Sequence, residues 1–146
     1  MSRKTSLSVS VLLTTTILSA CTPVKPPVGM ENDKAFSQEA DISYKQAFRI
    51  ISKQMKACYA GKGLFGNGYD VYSEIDSHAK EARVEVYYVG FAGAEKPEDS
   101  MFSRTVTIKQ RDHKTLITTT GTTPDYIYLT HATIPTWLRG KTTCSP

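Results

Sequence analysis

The chain has no apolar run long enough to cross a bilayer as a helix. Its longest apolar stretch, Leu7 to Leu18, is about a dozen residues and is broken by threonines, whereas a spanning helix needs ~20. Reactive side chains are also scarce: three cysteines, three histidines and one tryptophan in 146 residues. There is no Gly-x-Ser-x-Gly elbow, no His-Glu-x-x-His and no Cys-x-x-Cys, so the readable routes to a serine hydrolase, a zinc protease or a thiol redox enzyme are missing. The 18 Lys and Arg are scattered among 14 acids, which gives a solvated surface rather than the clustered basic patch that nucleic acid requires. No internal repeat is visible. Two stretches mimic phosphate loops and fail. Gly61–Gly68 leaves a helix instead of leading into one and lacks a Gly-Lys-Ser/Thr ending. Gly140-Lys141-Thr142-Thr143 has Pro135 where the first glycine is needed, and almost no chain after it.

What is present begins at the amino terminus. Arg3 and Lys4 form a short positive region, the apolar stretch follows, and Leu18-Ser19-Ala20-Cys21 closes it. This resembles the bacterial lipoprotein signal. The resemblance implies that residues 1–20 are removed, that the Cys21 thiol is diacylated and that the new amino terminus is acylated, palmitate being one such chain. Several acyl chains hold a protein stably on a membrane where one does so marginally. Thr22, in place of an aspartate after the lipidated cysteine, implies the periplasmic face of the outer membrane in a Gram-negative cell; in a Gram-positive cell the anchor is the plasma membrane. Losing the leader removes Arg3 and Lys4 and so lowers the formal charge of +4 by two units.

With Cys21 given to lipid, Cys58 and Cys144 remain as an even pair in an oxidising compartment, and a Cys58–Cys144 disulfide is expected. The alternative is two free buried thiols. Residues 21–40 read as the lipidated cysteine and a Pro-rich tether, with Pro23, Pro26 and Pro27 holding it extended. Residues 41–146 are one small domain.

In that domain the spacing predicts a helix over Ile42–Ala60. Ser43 with Gln46 fits a capping box, with Asp41 as the rival cap. Tyr44, Ala47, Phe48, Ile51, Met55, Cys58 and Tyr59 form its apolar stripe, and Gly61 is the natural stop. Four strands follow by alternation: Tyr69–Asp76, Glu81–Phe91, Ser103–Arg111 and Thr115–Gly121. The tail opens with Thr123 and Pro124, suited to an N-cap and first turn. A helix kinked at Pro135 is preferred there, with a fifth strand over Tyr126–Thr130 left open. The expected fold is α+β: an N-terminal helix, a four-stranded antiparallel meander with one dry and one wet face, and a C-terminal helix packed on the same face.

Candidate chemistry is thin. In such a meander the first and third turns share an end, which brings Asp76 and His78 towards Asp112 and His113, a donor set of the type zinc takes. Solvated turn residues explain the same pattern. Tyr72 and Tyr87 could adjoin on the wet face and stack on a sugar or peptide, or simply stabilise the sheet. The helix ending in Cys58, the strand-rich middle and the Trp137-Leu138…Cys144 tail resemble small proteobacterial envelope lipoproteins of unassigned function. The expectation is a non-catalytic accessory protein that needs no cofactor, sits on the membrane through its acyl chains and contacts another envelope protein. The alternative is a small-ligand carrier with a groove between sheet and helix, lined by Phe48, Met55, Tyr88 and Trp137. A hydrolase of envelope polymer lacks a visible acid–base pair.

Overall fold

The structure, a computed structural model, describes residues 35–62, 67–90, 100 and 103–144. The leader, Cys21, Thr22 and the proline-rich stretch lie outside the described residues, as do Leu64, Phe65 and most of the acidic 92–101 loop. Among the described residues no helix is long and apolar enough to cross a membrane.

Among the described residues a six-stranded antiparallel sheet carries two helices. In chain order the elements are β1 Phe36–Ala40, α1 Tyr44–Tyr59, β2 Gly61–Lys62, β3 Gly68–Asp76, β4 Glu81–Val89, β5 Ser103–Arg111, β6 Lys114–Gly121 and α2 Pro124–Leu138. The spatial order is β1-β6-β5-β4-β3-β2. The expected four-stranded meander is therefore wrong: β3 to β6 form its middle, and one further strand is added at each edge. β1 lies in the stretch that reads as tether. Its five residues alternate half-buried and exposed, and they pair with β6 from Phe36 opposite Thr119 to Ala40 opposite Thr115. The first helix is accordingly not the first element of the fold.

At the other edge, Gly61 does not cap α1. Ala60 does so in an extended conformation, and the chain passes straight into β2, where Gly61 and Lys62 pair with Tyr69 and Gly68. Gly68 has to be a glycine here, because a Cβ would collide with the Gly61 carbonyl.

α1 starts where Ser43 caps it, the Ser43 hydroxyl accepting from the Gln46 amide at 3.3 Å. Ala47, Ile51 and Met55 are fully buried on its inner stripe and pack on Val84, Val86, Val106 and Ile108 of the sheet. α2 is a continuous helix through Tyr126–Thr130, which decides that alternative against a strand. Pro135 has no N–H and leaves the His131 carbonyl without its helical donor. The Gln38 side chain of β1 supplies one at 3.2 Å. The helix stops at Gly140, whose φ of +83° suits glycine. Gly140 and Lys141 amides donate back to the Trp137 and Thr136 carbonyls at 2.8 and 3.2 Å, the hydrogen-bond pattern of a Schellman stop.

Cys58 and Cys144 form a disulfide, with their Cα atoms 5.3 Å apart. Beside it the fully buried Trp137 donates its indole N–H to the Thr143 carbonyl at 2.6 Å. The chain's last turn is thereby pinned to the buried side of α1.

Candidate functional site

The hairpin end of the sheet holds the first candidate. The β3–β4 and β5–β6 turns do share that end, and the Gln110 amide donates to the Lys80 carbonyl at 3.0 Å. Asp76, however, spends one carboxylate oxygen on its own turn, accepting from the His78 and Ala79 amides at 2.8 and 2.9 Å. Asp112 takes a left-handed φ of 49° to close its hairpin, a conformation aspartate tolerates. Among the described residues no three His, Cys, Asp or Glu side chains converge as metal ligands. Asp76, His78, Asp112 and His113 are all exposed and shape turns.

Tyr72 and Tyr87 are not cross-strand partners. The register sets Tyr72 opposite Glu85 and Tyr87 opposite Asp70. The Tyr72 hydroxyl donates to Glu74 at 2.9 Å. Burial, and then Asp70, push the Tyr87 hydroxyl above its usual pKa. The face turned from the helices is not uniformly wet, since Glu85 and Tyr87 are both buried there and Glu85 is paired with Arg83 at 2.6 Å.

The opposite end of the sheet carries a groove. Alternation puts Val86 and Tyr88 of β4 on the helix-covered face. It puts Arg104 of β5 on the same face, in register with Val86. α1 ends at Tyr59 and α2 begins at Pro124, so between the two helix ends the sheet stays open. The resulting cavity of about 380 Å³ is lined by Tyr69, Val86, Tyr88, Ser103, Arg104, Thr122, Thr123 and Tyr126. Tyr69 and Tyr88 face each other across β3 and β4 with ring centroids 5.5 Å apart, edge to face. The Asn67 side chain donates to the Tyr88 hydroxyl at 3.2 Å.

Arg104 is the central group. Its guanidinium carbon lies 4.2 Å from the Tyr59 ring centroid and 5.0 Å from that of Tyr126, within cation–π range. One guanidinium nitrogen donates to Thr130 of α2 at 3.0 Å. Burial pulls its pKa below the ordinary value, with the Tyr59, Tyr69 and Tyr126 side chains acting the other way. Among the described residues no carboxylate pairs with it. Gly121, opposite Arg104 on β6, gives the strand room to approach: a Cβ there would stand 2.9 Å from the Arg104 Cα.

Of the groove residues expected from sequence, Tyr88 lines it. Met55 and Trp137 are fully buried in the core, and Phe48 packs against that core. Arg104 was missed, although a signal existed: it stands two positions before Val106 and four before Ile108, on the apolar parity of its strand.

No protein-family model matches the chain, and no curated protein matches it. Among solved structures it is similar to a crystal structure of a Chromobacterium violaceum protein, at 14% identity and a TM-score of 0.34, covering 76% of this chain and 96% of that one. A likeness at that level carries nothing about activity.

Proposed function

We propose that the chain is a non-catalytic binding lipoprotein of the bacterial envelope, anchored through Cys21 and holding a small ligand in the groove between the sheet and the two helix ends. One observation carries the ligand-binding part: a preformed cavity of about 380 Å³ walled by tyrosines around a half-buried cation. Pockets of this size, apolar with a few convergent polar groups, are where small molecules bind. A fragment screen read by backbone amide shifts tests it. Hits should cluster on Tyr69, Tyr88, Arg104 and Thr123; hits scattered over the surface, or none, would remove the reading. The anchor rests on the Leu18-Ser19-Ala20-Cys21 motif. Intact mass of membrane-extracted protein should show loss of residues 1–20 and the added acyl chains, and a species still beginning at Met1 would reject it.

A second reading, an accessory protein that contacts an envelope partner, has its own support. β2 pairs only with the first two residues of β3, and Tyr72 and Ile75 farther along that edge are 45% and 42% exposed. Exposed apolar groups on an edge strand suit strand addition by a partner. Cross-linking from residue 75 in envelope extracts should capture one protein reproducibly; uniform background labelling would count against this reading.

A further inference from the structure

The charge in the groove narrows what it can hold. Three other cations in the fold have acids beside them: Arg83 with Glu85 at 2.6 Å, Lys109 with Glu81 at 3.0 Å and Lys114 with Glu39 at 3.0 Å. Those cations keep about half of their side-chain surface in water, where an ion pair contributes little. Arg104 is only half-buried too, but it sits in a cavity among tyrosines and, among the described residues, has no acid. A guanidinium stays charged at any working pH. Burying one without a counter-charge is costly, and cation–π contacts with Tyr59 and Tyr126 offset only part of that cost. The guanidinium has five N–H donors, and Thr130 accepts from one nitrogen.

We propose that the groove takes a small, flat organic monocarboxylate, its carboxylate on the Arg104 guanidinium and its ring among Tyr69, Tyr88 and Tyr126; this rests on the ligand-binding reading above. The planar fork of arginine matches a carboxylate with two parallel hydrogen bonds. One cation balances one negative charge. The surroundings disfavour a phosphate dianion. Among the described residues no second cation lines the cavity. The adjoining end of α2 opens on Pro124, which has no N–H to give, and carries Asp125 in its first turn. Tyr69 and Tyr126 are 40% and 51% exposed, so their rings offer apolar surface that a ring-bearing ligand would cover. A cavity of about 380 Å³ accommodates one or two fused rings with a carboxylate.

The test compares 2-naphthoate with neutral 2-naphthamide on the full chain, by amide shifts and by the Arg104 side-chain NH signals. The expected result is groove-centred shifts for both, with naphthoate bound about ten- to a hundredfold more tightly, the range for a charge-assisted hydrogen-bonded contact. Arg104→Gln should abolish that preference while leaving naphthamide binding in place. Should that variant unfold, Arg104→Lys keeps the charge without the planar fork and should shrink the preference. Equal affinity of the two probes in the groove overturns the carboxylate assignment and leaves the ligand groove standing. If neither probe shifts a groove residue while other fragments do, only this proposal falls; if no fragment does, the ligand-binding reading falls with it.

Discussion

Among the described residues, two buried polar groups lack hydrogen-bond partners: the Thr119 hydroxyl and Nδ1 of His131. Thr119 is fully buried on β6, opposite Val106 on one side and Phe36 on the other. A buried hydroxyl without a partner costs about 1–3 kcal/mol in proteins. Thr119→Val keeps the shape and removes the oxygen, so it should raise unfolding stability by about 1 kcal/mol, read as a higher urea midpoint at unchanged slope. A fall would mean that the hydroxyl has a partner. His131 tests burial differently. Its ring lies 5.5 Å from the Phe36 ring, and burial holds its pKa below the ordinary 6.5. The folded state therefore resists the proton that the unfolded chain accepts. The stability contributed by the neutral ring is whole above 6.5 and is lost as pH falls from there towards the depressed folded value. Stability should decline as pH falls below about 6.5, and His131→Phe should flatten that decline. Parallel wild-type and variant curves would reject the account.

The elements least legible in the sequence are the two edge strands, β1 and β2. α1 and β3 to β6 were readable because each repeats its own period: the stripe from Tyr44 to Cys58 in one case, Val84 and Val86 or Val106 and Ile108 in the other. β1 has one bulky apolar residue, Phe36, in five, and it follows a proline-rich stretch. Its reason for being a strand lies far along the chain, in β6 and α2. Phe36 packs on Tyr128 and His131, and Gln38 reaches the carbonyl that Pro135 leaves without a donor. β2 is two residues long, too short for any period to show. The groove failed to show for a related reason: it is the gap between two helix ends, and no local pattern reports where one helix ends relative to another. Gln38→Ala should cost about 1 kcal/mol, the figure for losing one hydrogen bond to a part-buried carbonyl. Gln38→Ala combined with Pro135→Ala, which restores a backbone donor to His131, should recover part of that loss. A double variant no better than Gln38→Ala alone would show that the amide does not serve that carbonyl.

At the scale of the molecule, the disulfide connects the groove to the chain's end. The bridge spans 86 positions, and closing a loop of that size in the unfolded chain stabilises the fold by about 2–5 kcal/mol. Its placement adds a second effect. Cys58 precedes Tyr59, and the Tyr59 ring contacts both Arg104, at 4.2 Å, and Trp137, edge to face at 6.4 Å. The Tyr59 hydroxyl also meets the Thr130 hydroxyl at 3.4 Å, and Thr130 holds Arg104. Opening the bridge frees the last turn of α1 and the Thr143 carbonyl that fixes Trp137, so the aromatic wall behind Arg104 loses its outer support. Cys58→Ser with Cys144→Ser should lower the unfolding midpoint by an amount worth about 2–5 kcal/mol. In the still-folded variant, the amide signals of Tyr59, Arg104 and Thr130 should broaden or shift, while those of the hairpin turns at Asp76 and Asp112 stay in place. Unchanged signals at both ends of the sheet would mean that the bridge acts only on the unfolded chain and does not brace the groove.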